Sequence, residues 1–351
     1  MRKGSNIYLI VFSISISALS LFVLNFQSRL NADKLDLLSD FELPKRIYAN
    51  PYPPPRKSNH SIPDKDKLYI AVMDSVYEPT ELLCTLYDSW IKEVQEMQFV
   101  DAVEIYSLSS YSDSNCSLRT ITFADPPKQF PINRSPSCYL MYSLFKMFLA
   151  RSTANWILIV SDGAYVNPKL LPKFISKYAN SSYYDSPLAK GQCQELRDNF
   201  QIFAPNSGVL LTRSAVKAVF DRPRKFEISC QIELPAYETI THVLDQIDIM
   251  PIHNHDFRFL GQPFTKSKYF KWIDSGDYSK VKNCTSGYSS PRICYPRSYK
   301  IKDLVVWAGS GKKIDKIKFL LGAKRWLDLA PDNLGFMYNT YETDICIMSK
   351  D

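Results

Sequence analysis

Three short stretches of the sequence carry residues that could do chemistry. In "WILIVSDGAYVNPKLL" (156–171), the apolar run Trp156 to Val160 leads directly into Ser161-Asp162-Gly163. A carboxylate at the tip of a buried strand is where open α/β sheets place their ligand chemistry. A single acid between Ser and Gly is a thin ligand set, and Asp-Gly is also a common turn pair. In "FAPNSGVLLTRSAVKAV" (203–219), Asn206-Ser207-Gly208 forms a small-residue turn before a strand. Such a turn lets backbone approach a ligand closely, or it is a plain loop ahead of a helix that Thr212 caps. In "YETITHVLDQIDIMPIHNHDFRFL" (237–260), Glu238 falls in the first turn of a helix, where acids also serve the helix dipole alone. His253, His255 and Asp256 have metal-ligand chemistry, or are polar loop residues.

These residues need a scaffold, and the pattern supplies one. Strands are predicted at Leu68 to Met73, Phe99 to Leu108, Trp156 to Val160, Phe200 to Ala204, Gly208 to Leu211 and Asp248 to Ile252. Helices are predicted at Glu78 to Met97, Cys138 to Ala150, Lys169 to Tyr178, Arg213 to Phe220 and Tyr237 to Ile247. Apolar residues at 82, 83, 86, 90, 91 and 94 mark the first helix. Strands alternating with helices imply an α/β fold, its central sheet mainly parallel and covered by helices on both faces. Cys116 to Pro136 and Lys266 to Tyr299 read as irregular, and no internal repeat is visible.

The chain has 351 residues, 45% hydrophobic and 23% charged, which is ample for a core. Its net charge of +7 is spread along the sequence. The groups Arg222-Arg224-Lys225 and Lys312-Lys313-Lys316-Lys318 read as solvated faces, and no aromatic-basic platform points to nucleic acid. Met1-Arg2-Lys3 precedes an apolar stretch long enough to span a bilayer. A cleaved signal peptide ending near Ala18-Leu19-Ser20 is the competing reading, but the apolar run continues to Phe26. The organisation expected is therefore a cytoplasmic tail (1–6), a transmembrane signal-anchor (7–26), a Pro-rich luminal stem (27–66) and a luminal domain (67–300). A C-terminal extension (301–351) has no readable role.

Other features agree with a luminal compartment. The sequence holds 8 cysteines, and without zinc spacing they read as disulfides. Cys284 with Cys294, and Cys116 with Cys138, are candidate pairs, with other connectivities open. N-glycosylation sequons stand at Asn59, Asn115, Asn180 and Asn283, and one at Asn133 is weakened by Pro136.

Taken in order, the motifs resemble those of the Fringe-like and core 1 galactosyltransferase-like glycosyltransferases, family thirty-one. "KLYIAVMDS" followed by "DSWIKEV" looks like the family's opening strand and its Trp-bearing helix. "WILIVSDGAYV" looks like its strand ending in Asp-Asp-Asp, and "FAPNSGVLLTRSAV" like its Gly-Gly-Ala-Gly stretch. "AYETITHVL" resembles its acidic pair opening a helix, and "HDFRF" its Phe-His segment. The resemblance spans about Leu68 to Phe264. It implies a GT-A type fold, a type II membrane protein of the Golgi or endoplasmic reticulum, and a UDP-sugar donor. It also implies inverting transfer of a hexose or N-acetylhexosamine to a glycan or glycoprotein, typically β1,3. In the family a metal such as Mn2+ holds the donor diphosphate.

The departures fall on that metal site. Ser161 and Gly163 flank Asp162 where the family has Asp, and Arg258 replaces the metal-binding His. Asn206 and Ser207 replace glycines, while Gly208 remains. Glu238 stands in the position of the family's base, and Tyr237 replaces the preceding acid. The expectation is a glycosyltransferase that works without metal. Glu238 is its base, and Arg258 neutralises the leaving diphosphate, since a guanidinium binds phosphate oxygens unaided. Asp162, with Ser161, Gly163 and Gly208, lines the donor site. Two alternatives stand beside it. One is a metal site rebuilt from Asp162 with His253 or His255. The other is a non-catalytic chaperone or partner of an active glycosyltransferase.

Overall fold

The computed structural model describes residues 46–48, 67–73, 80–107, 119–122, 136–179, 186–195, 201–204, 207–222, 226, 229, 236–254, 256–263, 304–310, 312–329 and 347–348. The chain divides after Leu43, and all of these belong to the second unit, Pro44–Asp351. The expected anchor and the five sequons lie outside the described residues. Among the described residues no helix is long and apolar enough to cross a membrane.

The fold is α/β. Its strands are β1 (Arg46–Tyr48), β2 (Leu68–Met73), β3 (Val100–Ser107), β4 (Arg119–Thr122), β5 (Trp156–Ser161), β6 (Ala164–Val166) and β7 (Ala189–Gly191). There follow β8 (Cys193–Glu195), β9 (Gln201–Phe203), β10 (Val209–Thr212), β11 (Pro251–His253), β12 (Phe257–Pro263), β13 (Val306–Ser310) and β14 (Ile347–Met348). The main sheet has the order β1-β4-β3-β2-β5-β10-β7-β11-β14. β4, β3, β2 and β5 are mutually parallel, and β7, β11 and β14 share their direction. β1 and β10 oppose it. A second sheet, β12-β13-β6, stands beside the turn that ends β5, and β8 and β9 form a separate hairpin. β1 comes from the segment that the sequence reads as stem, and it adds an edge strand to the main sheet.

Helix α1 runs through Thr80–Leu86, Tyr87–Ile91 and Lys92–Val94, the middle stretch wound as a π-helix in which the Lys92 amide donates to Tyr87 O. The other helices are α2 (Pro136–Arg151), α3 (Leu171–Ala179), α4 (Arg213–Phe220), α5 (Ala236–Asp245) and α6 (Lys313–Leu329). All six residues of β2 and of β5 are buried. That is the continuous apolar pattern of strands covered on both faces. Leu68, Ile70 and Val72 face a core built with α1, α3 and α6. Tyr69 faces the other way, its ring 5.4 Å from that of Phe148 on α2. Cys84, Cys138 and Cys193 are disulfide-bonded. The other disulfide candidates, Cys116, Cys284 and Cys294, lie outside the described residues.

Candidate functional site

β5 ends at Ser161, and Asp162-Gly163 turns the chain from the main sheet into β6 of the small sheet. The turn is buried, with Asp162 at 0% exposure. The Asp162 amide donates to Met73 O at the end of β2, 3.1 Å away. On the far side Trp90 Nε1 donates to Ala164 O at 2.9 Å. The Trp-bearing helix named in the sequence therefore braces the residues that follow Asp162.

A charge buried this deeply needs a partner, and α6 provides it. Lys316 Nζ donates to Asp162 Oδ1 at 2.7 Å and Oδ2 at 2.9 Å. The reading of Lys312, Lys313, Lys316 and Lys318 as a solvated face needs correction at this point. Lys312 and Lys318 are exposed, but Lys316 is buried. Lys316 sits in the first turn of α6, on the same side as the buried Phe319, Leu320, Ala323 and Leu327. A lysine on the apolar stripe of a helix was the signal in the sequence, hidden because the neighbouring lysines suggested a charge run. The helix is held by aromatic packing: the Trp307 ring of β13 meets Phe319 at 5.3 Å and Trp326 at 6.3 Å. Gly322 makes room for Trp326, whose ring lies 2.5 Å from where a Cβ would stand. Residues 301–351, left without a role by the sequence, thus supply β13, α6 and the counter-ion of Asp162.

The first turn of α5 reaches the same place. Tyr237 is buried, and its hydroxyl is pushed above the usual phenol range by burial, with the negative charge of Asp162 adding to the effect. The Tyr237 hydroxyl and the Ser161 hydroxyl are both buried without a hydrogen-bond partner among the described residues. α5 is fixed by Thr241, whose hydroxyl donates to Tyr237 O at 2.8 Å and accepts from the Phe203 amide at 3.0 Å. Glu238 is next to Tyr237 in this first turn.

Other predicted residues are placed as follows. Ser207 closes a turn, its hydroxyl donating to Ala204 O at 2.8 Å. Gly208 has φ of 95°, a left-handed conformation that favours glycine. A Cβ there would meet Phe257 Cδ1 and Val306 Cγ1, each at 3.0 Å. The close approach that the sequence assigns to a ligand is made on that side by the small sheet. Arg258 lies on β12 opposite Trp307, which pairs in turn with Tyr165 of β6. His253 lies on β11 opposite Gly191, and that row continues through Val209 to Ile159 of β5. Three strand spacings, about 14 Å, thus separate the β11 backbone from β5. A metal shared by Asp162 and His253 is not what this placement favours. His255 and Asn206 lie outside the described residues, while the Asp256 carbonyl accepts from the Val305 and Val306 amides.

The divalent metal that the resemblance implies does not fit these residues. Both Asp162 oxygens accept from an ammonium, and a second cation there would be repelled by Lys316. The flanking Ser161 and Gly163 add at most one hydroxyl. Among the described residues no group of three His, Cys, Asp or Glu side chains is placed to hold a metal ion.

No protein-family model and no curated protein sequence matches the chain. The chain is distantly similar to a number of solved structures. One is a glycosyltransferase involved in glycosylation of the major capsid of PBCV-1, at 11% identity, with 73% of this chain and 99% of that chain covered and a TM-score of 0.39. Another is the galactosyltransferase LgtC in complex with donor and acceptor sugar analogs, at 12% identity, with 75% and 94% covered and a TM-score of 0.40. A third is the Francisella tularensis 2-C-methyl-D-erythritol 4-phosphate cytidylyltransferase, at 11% identity, with 53% and 89% covered and a TM-score of 0.33.

Proposed function

We propose that the chain is a GT-A type glycosyltransferase, a divergent relative of the Fringe-like enzymes, that transfers a sugar from a UDP-sugar to a glycan or glycoprotein without a metal. In this reading the N-terminal anchor holds it in the Golgi or endoplasmic-reticulum membrane with the enzyme domain in the lumen. One observation carries the proposal. The strand-end acid Asp162 is neutralised by an ammonium, and the first turn of the helix bearing Glu238 is brought within its field. The order of motifs along the chain is the second support.

The reaction follows from these residues. The oxygen of an acceptor hydroxyl attacks the anomeric carbon of the donor from the face opposite the diphosphate. Its bond to that carbon forms as the carbon–oxygen bond to phosphate breaks, so the sugar inverts. Glu238 takes the acceptor proton as the new bond forms. The electron pair of the broken bond leaves on the nucleoside diphosphate, whose added charge a fixed cation stabilises. Arg258 is one candidate for that cation, from β12 of the same small sheet as β6.

The test is thermal-shift binding of the full chain in detergent against a panel of UDP-sugars, with manganese and then with chelator. A bound ligand raises the melting temperature as its concentration exceeds Kd. The expected result is a shift with at least one UDP-sugar that survives chelator. A shift that requires manganese contradicts the metal-free site. No shift with any donor overturns the enzyme reading and favours a non-catalytic partner of another glycosyltransferase.

A further inference from the structure

The pair formed by Asp162 and Lys316 does not open evenly to its surroundings. The Asp162 side chain is 0% exposed and that of Lys316 10%. What exposure the pair has is therefore on the Lys316 side chain and none of it on the carboxylate. Ser161 is next to Asp162 in the chain and Tyr237 lies within its field, and the hydroxyls of both are buried without a hydrogen-bond partner among the described residues. A phenol held protonated, a serine hydroxyl and an ammonium can all donate hydrogen bonds. Donors of this kind suit an oxyanion, and burial strengthens each contact because little water competes.

The surrounding charge has the same sign. Lys316 lies in the first turn of the 17-residue helix α6, whose N-terminal end carries partial positive charge. Lys312, just ahead of the helix, is exposed. The acid of this turn, Asp315, is partly committed to capping, since its Oδ2 accepts from the Lys312 amide at 3.2 Å.

We propose that the Lys316 ammonium, delivered by α6, binds the phosphate oxygens of the nucleoside diphosphate, and that Asp162 is a positioning residue which orients it. This inference rests on the glycosyltransferase reading and makes it specific: the cation at the strand end comes from the C-terminal helix. Asp162 itself then touches no ligand. Its carboxylate fixes the direction of a flexible four-carbon side chain that would otherwise lose entropy on binding.

The test is calorimetric titration of inorganic pyrophosphate, and separately of UDP and uridine, into the full chain in detergent. Three variants accompany the wild type: Lys316→Gln, Asp162→Asn, and the double variant Asp162→Asn with Lys316→Gln. The double variant leaves no unpaired buried charge, so it stays measurable even where a single variant fails to fold. A melting curve and circular dichroism establish that it is folded. The expected result is a loss of at least about tenfold in pyrophosphate and UDP affinity for the double variant, the size of one charge-assisted hydrogen bond. Asp162→Asn, which keeps the cation but loosens its orientation, is expected to weaken pyrophosphate binding by less than the double variant does, and unchanged affinity there would remove the positioning role of Asp162. Uridine, without phosphate, binds all of them alike. A folded double variant that binds pyrophosphate as tightly as wild type overturns the proposal and leaves the pair an internal brace. If UDP affinity is also unchanged there, the enzyme reading survives and only the role of Lys316 falls. A wild type that binds neither pyrophosphate nor UDP overturns both.

Discussion

At the scale of single residues, the buried pair sets the energetics of the site. Asp162 Oδ1 and Lys316 Nζ are 2.7 Å apart, at a sequence separation of 154. Replacing one partner of such a pair leaves the other charged in the interior, which costs about 3–5 kcal/mol. Lys316→Met and Asp162→Asn are each expected to lose about that much in urea denaturation, and the double variant clearly less than their sum. Additive losses would mean that the two groups do not depend on each other. Glu238 is different, because its role is chemical. Glu238→Gln is expected to lower kcat by about 10²–10⁴-fold, the usual range for a general base, while leaving UDP-sugar affinity near that of wild type. Equal activity of the variant and wild type would remove Glu238 from the mechanism. The sequence shows Glu238 and Asp162 because each stands at a junction between apolar periodicity and a turn. It hides Lys316 because a pairing of this range leaves no local spacing to read, and three other lysines surround it.

At the scale of elements, local chemistry decides which segments are readable. α4 begins and ends where the sequence places it, Arg213 to Phe220, because its cap is local. Thr212 Oγ1 accepts from the Ala215 amide at 3.2 Å and from the Leu188 amide at 2.9 Å, and donates to Ser186 O at 2.9 Å. One hydroxyl thus starts α4 and ties β10 to the chain entering β7. Thr212→Ala is expected to cost about 2 kcal/mol, the upper end for an N-cap, because a tertiary contact is lost with it. The midpoint of urea unfolding measures this, and a change below about 0.5 kcal/mol would show the tertiary bond to be idle. β6 and β7 are not readable in the same way. Each has only three residues, too short for a period, and is defined by its partners in the sheet. β13 and α6 are long enough to read, but irregular sequence on either side obscures them. Their apolar residues are explained only by the Trp307, Phe319 and Trp326 cluster that joins them.

At the scale of the whole molecule, three of the buried tyrosines link different elements through one titration. Tyr69 lies on the main sheet, where its hydroxyl donates to the buried Glu104. Tyr165 lies on the small sheet, and Tyr237 on α5. All three hydroxyls are pushed above the usual phenol range, in each case mainly by burial, with negative charge nearby adding to it. In the unfolded chain a tyrosine ionises near pH 10. Above that pH the unfolded state gives up protons that the folded state keeps. Stability then falls as pH rises, and below about pH 10 these groups contribute no slope. The ionisation of the buried tyrosines is therefore expected to be cooperative and to coincide with unfolding, since none can lose its proton in place at moderate cost. Absorbance at the tyrosinate band, followed with far-UV circular dichroism through an alkaline titration, separates the possibilities. An early non-cooperative phase belongs to exposed tyrosines. A late phase that rises in step with the loss of circular dichroism belongs to the buried tyrosines, Tyr69, Tyr165 and Tyr237 among them. Tyr237→Phe should reduce that late amplitude and, by removing an unpartnered buried hydroxyl, leave stability near neutral pH equal or higher. If instead the variant is clearly less stable at neutral pH, the Tyr237 hydroxyl has a partner in the unliganded protein, and one of the three donors assigned to the phosphate site is already taken.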